Sequence, residues 1–192
     1  MCQFWLKCPG RLTVYRIYSA YRYSILKERN RVMDQSTEYR QQLLQEYKQM
    51  TVPLLKYLPW LEKNAGQAGS TIYKGTESNE NALSFPVYDP TLMGFVKEAA
   101  KTALMDRNFP YIYTRNRIKT HDDERKIIAS AGLGDWDILR GILSKYVLGG
   151  KTKGSLWSEA VEQNIFYLVL CKMQEIIEYW DRSFQTNYSR EQ

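Results

Sequence analysis

Apolar side chains recur at helical spacing along most of this chain. From Met33 onwards they fall three and four residues apart, the pattern of amphipathic helices with one buried face. Ser36 and Thr37 are candidate N-caps for a first helix, whose apolar stripe is Tyr39, Leu43, Leu44, Tyr47 and Met50. A second helix is predicted to begin at Pro53 and to be broken or kinked by Pro59; its buried face would be Leu54, Leu55, Leu58 and Leu61. Asn64-Ala65-Gly66 is predicted to end it.

Residues 66–88 differ from the helical stretches on either side, because glycine, serine and asparagine become frequent. These residues favour turns and loops. Two short β-prone runs, residues 70–73 and 83–87, are predicted to pair as a small β-hairpin, with a long loop as the alternative.

Helical spacing returns after this segment. Asp89-Pro90 predicts a helix start, with aspartate at the cap and proline at the first position. That helix is expected to end at Asn108-Phe109-Pro110, and residues 111–119 are predicted to be extended or irregular. Thr120 then caps a helix, with Asp123 and Glu124 in its first turn, that is predicted to stop at Gly132.

Two more helices complete the prediction. One begins at Asp135 and ends at Gly149-Gly150, and the last and longest runs from Ser155 to about Asp181. The fold class is therefore mainly α, a single domain of five or six helices, with a small β-hairpin or long loop between the second and third. The core is expected from residues 92–104, 136–147 and 157–177, and the tryptophans expected to be buried or packed at element contacts are Trp60, Trp136, Trp157 and Trp180.

The charge distribution divides the chain unevenly. Residues 1–32 hold seven basic residues and one acidic residue, which accounts for the whole formal charge of +6. We interpret them as a non-native leader, with translation beginning at Met33, because Lys27-Glu28-Arg29-Asn30 can be encoded by a purine-rich string typical of a bacterial ribosome-binding site. A genuine basic arm and an organelle-targeting segment are the alternatives. The domain is then residues 33–182, with a polar tail over residues 183–192.

Several motifs suggest chemistry that their spacing does not support. Gly149-Gly150-Lys151-Thr152 resembles the end of a phosphate-binding loop, but Lys145 occupies the position of its first glycine. The run from His121 to Glu124 groups four potential metal ligands that point in different directions on a helix, so it is interpreted as an acidic first turn. Cys171 has no partner for a disulfide or a metal site. No cofactor and no metal are predicted.

One segment has the composition of a nucleic-acid surface. If residues 111–119 are extended, alternating aromatic and basic side chains share one face that could stack bases and hold phosphates. Two lysines in the turn after residue 150 could add an anion contact near a helix N-terminus. The candidate residues are Tyr111, Tyr113, Arg115, Arg117, Lys119, Lys151 and Lys153.

Three function classes follow. The preferred one is a non-enzymatic protein-interaction module with a protein partner, or a homodimer, because no catalytic constellation is assembled and tyrosine and tryptophan are abundant. The first alternative is a nucleic-acid-binding accessory protein. The second is an enzyme of unrecognised type, which would need a deep pocket and shifted acidic groups such as Asp122, Asp123, Asp135 or Asp137. No membrane segment is predicted.

Two stretches carry a family resemblance. Leu54-Leu55-Lys56-Tyr57-Leu58-Pro59-Trp60-Leu61-Glu62 resembles the Leu-x-Tyr-Ile-Pro-Phe/Tyr-Phe-Glu opening of a family of small uncharacterised bacterial proteins, a domain of unknown function. The segment from Lys145 to Met173 is similar to the C-terminal part of that family, in which a glycine-containing turn leads into an apolar helix. The usual Arg-Phe pair before the turn is Val147-Leu148 here. The resemblance implies a cytoplasmic bacterial protein of prophage or mobile-element origin, and it assigns no residue a role.

Overall fold

The computed structural model describes residues 38–73 and 85–188. Within them lie eight α-helices and one two-stranded sheet. The helices are α1 (residues 38–55), α2 (Leu58–Lys63), α3 (Pro90–Ala99), α4 (Phe109–Arg115), α5 (His121–Ser130), α6 (Trp136–Gly149), α7 (Ser155–Glu162) and α8 (Ile165–Tyr188). The strands are β1 (Ser70–Tyr73) and β2 (Phe85–Tyr88), and a 3-10 turn (Leu133–Asp135) precedes α6. The mainly α class with a small hairpin is confirmed.

The helix count of five or six is too low for two reasons. Residues 109–115 form a helix where an extended segment was expected, because Pro110 lies in the first turn of α4 instead of ending α3. The long C-terminal helix is interrupted at Asn164, whose φ of 62° is left-handed and ends the regular hydrogen bonding between α7 and α8. Helix α3 also ends earlier than predicted, at Ala99, which does not change the count.

Helix boundaries elsewhere follow the proline and cap signals only in part. Helix α1 continues through Pro53 to residue 55, and the chain turns before Pro59, which lies in the first turn of α2. Helix α8 extends to Tyr188, beyond the predicted end at Asp181. The chain divides into two units, Met1–Gln45 and Glu46–Gln192, and the boundary falls inside α1. The predicted leader, residues 1–32, lies outside the described residues.

Two predicted N-caps are confirmed by their hydrogen bonds. Asp89 accepts a hydrogen bond from the backbone N–H of Thr91 at 2.6 Å and so caps α3. Thr120 accepts from the backbone N–H of Asp123 at 3.2 Å, and the Asp123 carboxylate accepts from the N–H of Thr120 at 3.0 Å. This reciprocal pair is a capping box, which starts α5 where the acidic residues of its first turn also favour the helix dipole.

The hairpin has one packed face and one exposed face. Ser70 pairs with Tyr88 and Thr71 with Val87, and residues directly opposite in an antiparallel pair share a face. Tyr88 makes an edge contact with the ring of Trp157 at 5.4 Å, and Ser158 donates to the Ser70 hydroxyl at 2.8 Å, so this face packs on α7. Thr71 and Val87 lie on the other face and are exposed.

Helices α6 and α8 supply the centre of the core, as predicted. Their fully buried side chains include Trp136, Leu139, Ile142, Leu143, Tyr146, Ile165, Phe166, Val169, Leu170 and Met173. Phe166 makes edge contacts with Phe95 of α3 at 4.9 Å and with Tyr146 of α6 at 6.0 Å, which joins three helices. Among the helices that the structure describes, none combines the length and the apolarity needed to cross a bilayer.

Glycines allow two close approaches around α6. A Cβ atom added at Gly141 would lie 2.8 Å from side-chain carbons of Ile112, so α4 crosses α6 with no room for a larger residue. Gly150 follows the end of α6, and a Cβ there would overlap the indole of Trp157. The Gly149-Gly150-Lys151-Thr152 run is therefore a helix end and a packing contact, in agreement with its rejection as a phosphate loop.

We expect Gly150→Ala to lower the free energy of unfolding by about 1–3 kcal/mol, because the added methyl group must displace the Trp157 ring. That ring is held by its Nε1–H, which donates to the carbonyl of Val147 at 3.4 Å. Gly134→Ala is the matched control, since its added Cβ would meet no atom within 4 Å. Urea unfolding measures both variants, and equal stability of the two would contradict the packing role of Gly150.

Candidate functional site

The structure gathers ionisable groups most densely around the buried carboxylate of Glu124. Its side chain is 1% exposed, although the residue lies in the first turn of α5. A buried charge is costly unless it is paired and hydrogen-bonded. We call the surrounding set the Glu124 cluster; it consists of Tyr113, His121, Glu124, Lys145, Tyr146 and Glu159.

Four donor groups surround the two oxygens of Glu124. At Oε1, the Tyr113 hydroxyl donates at 2.6 Å and the Lys145 ammonium at 2.8 Å. At Oε2, the Tyr146 hydroxyl donates at 2.7 Å, and Nδ1 of His121 lies 3.1 Å away. An ionised carboxylate has about four lone-pair positions, so its hydrogen-bonding capacity is filled.

Lys145 is held by aromatic rings as well as by charge. Its ammonium lies 4.9 Å from the centre of the Tyr113 ring and 4.7 Å from that of Tyr146. Cations are attracted to aromatic faces, and the effect grows when water is partly excluded. The lysine side chain is 26% exposed, so this cation stays close to the surface while its partner carboxylate does not.

His121 extends the cluster to α7. Its Nδ1 faces Glu124 and also lies 3.0 Å from the Tyr146 hydroxyl, while its Nε2 lies 3.0 Å from Oε1 of Glu159. A ring with a carboxylate oxygen beside each nitrogen can donate two hydrogen bonds only in its protonated form. The cluster therefore joins four consecutive helices. Tyr113 lies in α4, His121 and Glu124 in α5, Lys145 and Tyr146 in α6, and Glu159 in α7.

The electrostatic environment keeps Glu124 ionised. Burial by itself raises the pKa of this carboxyl, but the hydrogen bonds from Lys145, Tyr113, Tyr146 and His121 together outweigh it, and the pKa lies below its ordinary value. Burial, and then the negative charge of Glu124, raises the pKa of both tyrosines far above the ordinary value. Both hydroxyls thus stay protonated and act as donors.

The filled carboxylate limits what this cluster can do chemically. A general base must accept a proton from a substrate, and Glu124 has no unoccupied position to do so. Metal binding has no support either, since no group of three His, Cys, Asp or Glu side chains suited to an ion occurs in the part of the chain that the structure describes. What the contacts show is a network that joins side chains of α4, α5, α6 and α7.

The predicted Tyr/Arg/Lys face does not form as expected. Residues 109–115 are helical, so side chains two positions apart point to different sides. Tyr111 is exposed, whereas Tyr113 is half-buried and donates to Glu124. The other candidates are exposed side chains in three separate turns or helix ends, namely Arg115, Arg117, Lys119, Lys151 and Lys153. The prediction that these residues share one extended face is wrong. Nucleic-acid or anion binding by them stays a prediction.

The interpretation of residues 121–124 as an acidic first turn is confirmed, since Asp122, Asp123 and Glu124 all lie in the first turn of α5. Asp123 completes the capping box, and Asp122 pairs with Arg125 at 2.7 Å. Glu124 differs because it lies four residues before the buried Ile128, on the apolar side of α5. That spacing was the available signal that this glutamate is buried.

The acidic residues proposed for an enzyme have other partners in the structure. The pKa of Asp122 is lowered by its hydrogen bond with Arg125, and that of Asp123 by backbone hydrogen bonds, so neither is tuned to hold a proton near neutral pH. Asp135 accepts from the backbone N–H of Gly132 at 2.9 Å, and Asp137 pairs with Arg140 at 3.3 Å.

A second feature is an open groove beside the hairpin. It has a volume of about 260 Å³, and we call it the hairpin groove; it is lined by Trp60, Asn64, Ala68, Gly69, Ser70, Thr71, Val87, Tyr88, Asp89 and Pro90. Three parts of the chain meet there: the end of α2, the base of the hairpin and the first turn of α3. Polar and apolar groups share the lining, and Asp89 carries its one charge. Sequence reasoning missed this groove because no single segment contains it.

Comparisons with protein-family models, curated proteins and solved structures found no match to this chain. The resemblance seen around Leu54 to Glu62 therefore stays a prediction.

We expect Glu124→Gln to lower the free energy of unfolding by about 3–5 kcal/mol, the usual cost of removing one partner of a buried ion pair. The substitution keeps the size of the side chain but leaves the Lys145 ammonium without its anion and places an amide N–H₂ against donor groups. Asp137→Asn is the control, because it removes a carboxylate that is 80% exposed. Urea unfolding should separate the two variants clearly. A Glu124→Gln variant as stable as Asp137→Asn would show that the cluster contributes little.

The stability of the chain should also fall in acid because of Glu124. Its pKa is lowered on folding, so its contribution is complete above the unfolded value of 4.5 and is lost as the pH falls through the lower folded value. Urea unfolding at a series of pH values from about 7 to about 3 measures this slope. We expect Glu124→Gln to show a shallower decline than the unmodified chain and Asp137→Asn to keep the full decline. Parallel curves for all three proteins would contradict the assignment.

Proposed function

We propose that this chain is a non-enzymatic protein-interaction module that binds a segment of its partner in the hairpin groove. The observation that carries the proposal is the groove itself, a concave surface whose lining combines aromatic side chains with polar groups. Binding sites on proteins commonly combine these features. A cytoplasmic bacterial setting is part of the proposal, and it rests on the family resemblance alone.

The dimensions of the groove suit a short segment better than a large ligand. Its volume of about 260 Å³ is slightly below the range of about 300–1,000 Å³ that is typical of small-molecule pockets. A groove of this size accommodates one or two side chains of a partner. Tryptophan and tyrosine are enriched where protein interfaces bury their central contacts, and both Trp60 and Tyr88 line this site.

The exposed face of the hairpin continues the groove. Val87 is 45% exposed, an uncommon position for a large apolar residue in a strand whose other face is packed. Thr71 lies opposite Val87 and is also exposed. A partner segment lying along this face would cover Val87 and reach Trp60 at the same time.

The Glu124 cluster supports a non-enzymatic role. It contains the groups that an acid–base site would use, a histidine, a lysine, two tyrosines and two glutamates, yet the central carboxylate is filled by groups of the chain itself. Nucleic-acid binding has less support, because the alternating aromatic and basic residues do not share an extended face and residues 33–192 have no net charge.

Selection of peptides from a phage-displayed random library on the full chain tests the proposal. We expect enriched linear peptides to bind with a Kd tighter than about 100 µM and to lose at least about tenfold in affinity to a Trp60→Ala, Val87→Thr variant. Tyr179→Ala is the matched control, because it removes an aromatic residue that is 63% exposed on α8, outside the groove. Thermal unfolding establishes that all variants are folded. Peptides that bind the groove variant as well as the unmodified chain would contradict the proposal.

A further inference from the structure

Asp89 is the one charged residue in the described lining of the hairpin groove. The groove lining contains no lysine, arginine or histidine. Elsewhere in the described chain, Glu98, Asp122 and Asp181 each pair with a lysine or an arginine at 2.7 Å. An unpaired anion in a concave, partly apolar site attracts a positive charge more strongly than an anion on an open surface.

The position of this carboxylate is fixed by its neighbours. Its Oδ1 accepts from the Thr91 N–H at 2.6 Å, and the backbone N–H of Asp89 donates to the carbonyl of Gly69 at 3.2 Å. Oδ2 accepts no hydrogen bond from any residue that the structure describes. Because Oδ1 already serves the helix cap, Oδ2 can bind a donor without loosening α3.

The N-terminus of α3 opposes this negative charge only in part. A helix N-terminus is equivalent to about half a positive charge, whereas the carboxylate carries a full negative charge. Within the described lining of the groove, the negative charge of Asp89 therefore exceeds the opposing helix dipole, which favours a cation over an anion.

Trp60 supplies the second part of a cation site. Its side chain is half-buried and lines the same groove as Asp89. Leu61 beside it is buried, and the amide of Asn64 donates to the carbonyl of Trp60 at 2.8 Å, so the end of α2 is anchored. The indole ring is the strongest aromatic partner for a cation, and guanidinium groups both stack on rings and donate to carboxylates.

We propose that the hairpin groove recognises a basic side chain, preferably arginine, of the partner segment, with its cation beside Trp60 and its N–H groups donating to Asp89. This inference rests on the proposed function and specifies its ligand. Arginine fits better than lysine because its planar group can satisfy the ring and the carboxylate together. The aliphatic part of the side chain would lie against Val87 and Pro90.

Two blocked tripeptides test the inference on the full ¹⁵N-labelled chain by NMR titration at pH 7. Acetyl-Ala-Arg-Ala-amide carries the cation, and acetyl-Ala-citrulline-Ala-amide is its neutral isostere. We expect the arginine peptide to give saturable shifts at the Trp60 indole N–H and at the amides of Asp89 and Thr91, and the citrulline peptide to bind at least about tenfold more weakly.

Asp89→Asn is the decisive variant. Asparagine is a good N-cap and keeps the acceptor for Thr91, so the fold is preserved while the charge is removed. We expect it to reduce arginine binding to the citrulline level, and Asp137→Asn to leave binding unchanged. Equal affinity for the two peptides, equal affinity of Asp89→Asn and the unmodified chain, or no saturable shift would each overturn the inference.

The peptide selection distinguishes failure of this inference from failure of the proposed function. One outcome is that selected peptides require Trp60 and yet bind Asp89→Asn as tightly as the unmodified chain. That result would support the interaction module and contradict recognition of a basic side chain. A selection without any Trp60-dependent peptide removes the module itself.

Discussion

The burial of one negative charge constrains the half of the fold from α4 to α7. Glu124 is ionised and almost fully inaccessible, so its carboxylate must be surrounded by donors that the chain provides. The donors come from α4, α5 and α6, and His121 carries the contact on to Glu159 of α7. Four consecutive helices are thereby linked through the side chains around one carboxylate. An apolar residue in place of Glu124 would leave two tyrosine hydroxyls and a lysine without their acceptor.

This constraint bears on function because the cluster uses several side chains of the types that catalyse reactions in other proteins. Tyr113, His121 and Lys145 are types that catalyse reactions elsewhere, and here their polar atoms face one carboxylate. The hairpin groove is the opposite case. It lies at the meeting of α2, the hairpin and α3, and Asp89 is the one charged residue in its described lining. Buried polar groups in a stable fold are normally satisfied by the chain itself, whereas under the proposed function the Oδ2 of Asp89 accepts its donor from the ligand.

Much of the fold was predictable, because local signals decide it. The caps at Asp89 and Thr120 depend on side chains that bond to backbone groups two or three residues away, and the apolar periodicity of α6 and α8 reflects a core that surrounds them. The errors have a local cause as well. Pro110 was interpreted as the end of a helix although proline is equally suited to the first turn of the next one, and Asn164 gave no strong sequence signal that it would adopt a left-handed conformation.

The candidate sites were harder to predict because they are assembled from distant residues. Glu124 meets Lys145 and Tyr146 only after α5 and α6 pack together, and Trp60 and Asp89 line one groove although they belong to separate parts of the chain. The alternation from Tyr111 to Lys119 was a genuine pattern of residue types. It did not describe a surface, because the backbone there has the period of a helix rather than that of a strand.

Native-state hydrogen exchange of the unmodified chain and of Glu124→Gln would test the central role of this carboxylate most directly. If the Glu124 cluster fixes the helices that contribute to it, the amides of α4 and of the first turn of α5 should lose far more protection than those around Val169 and Met173 in α8. Equal loss of protection throughout the chain, or unchanged protection in α4 and α5, would contradict the account.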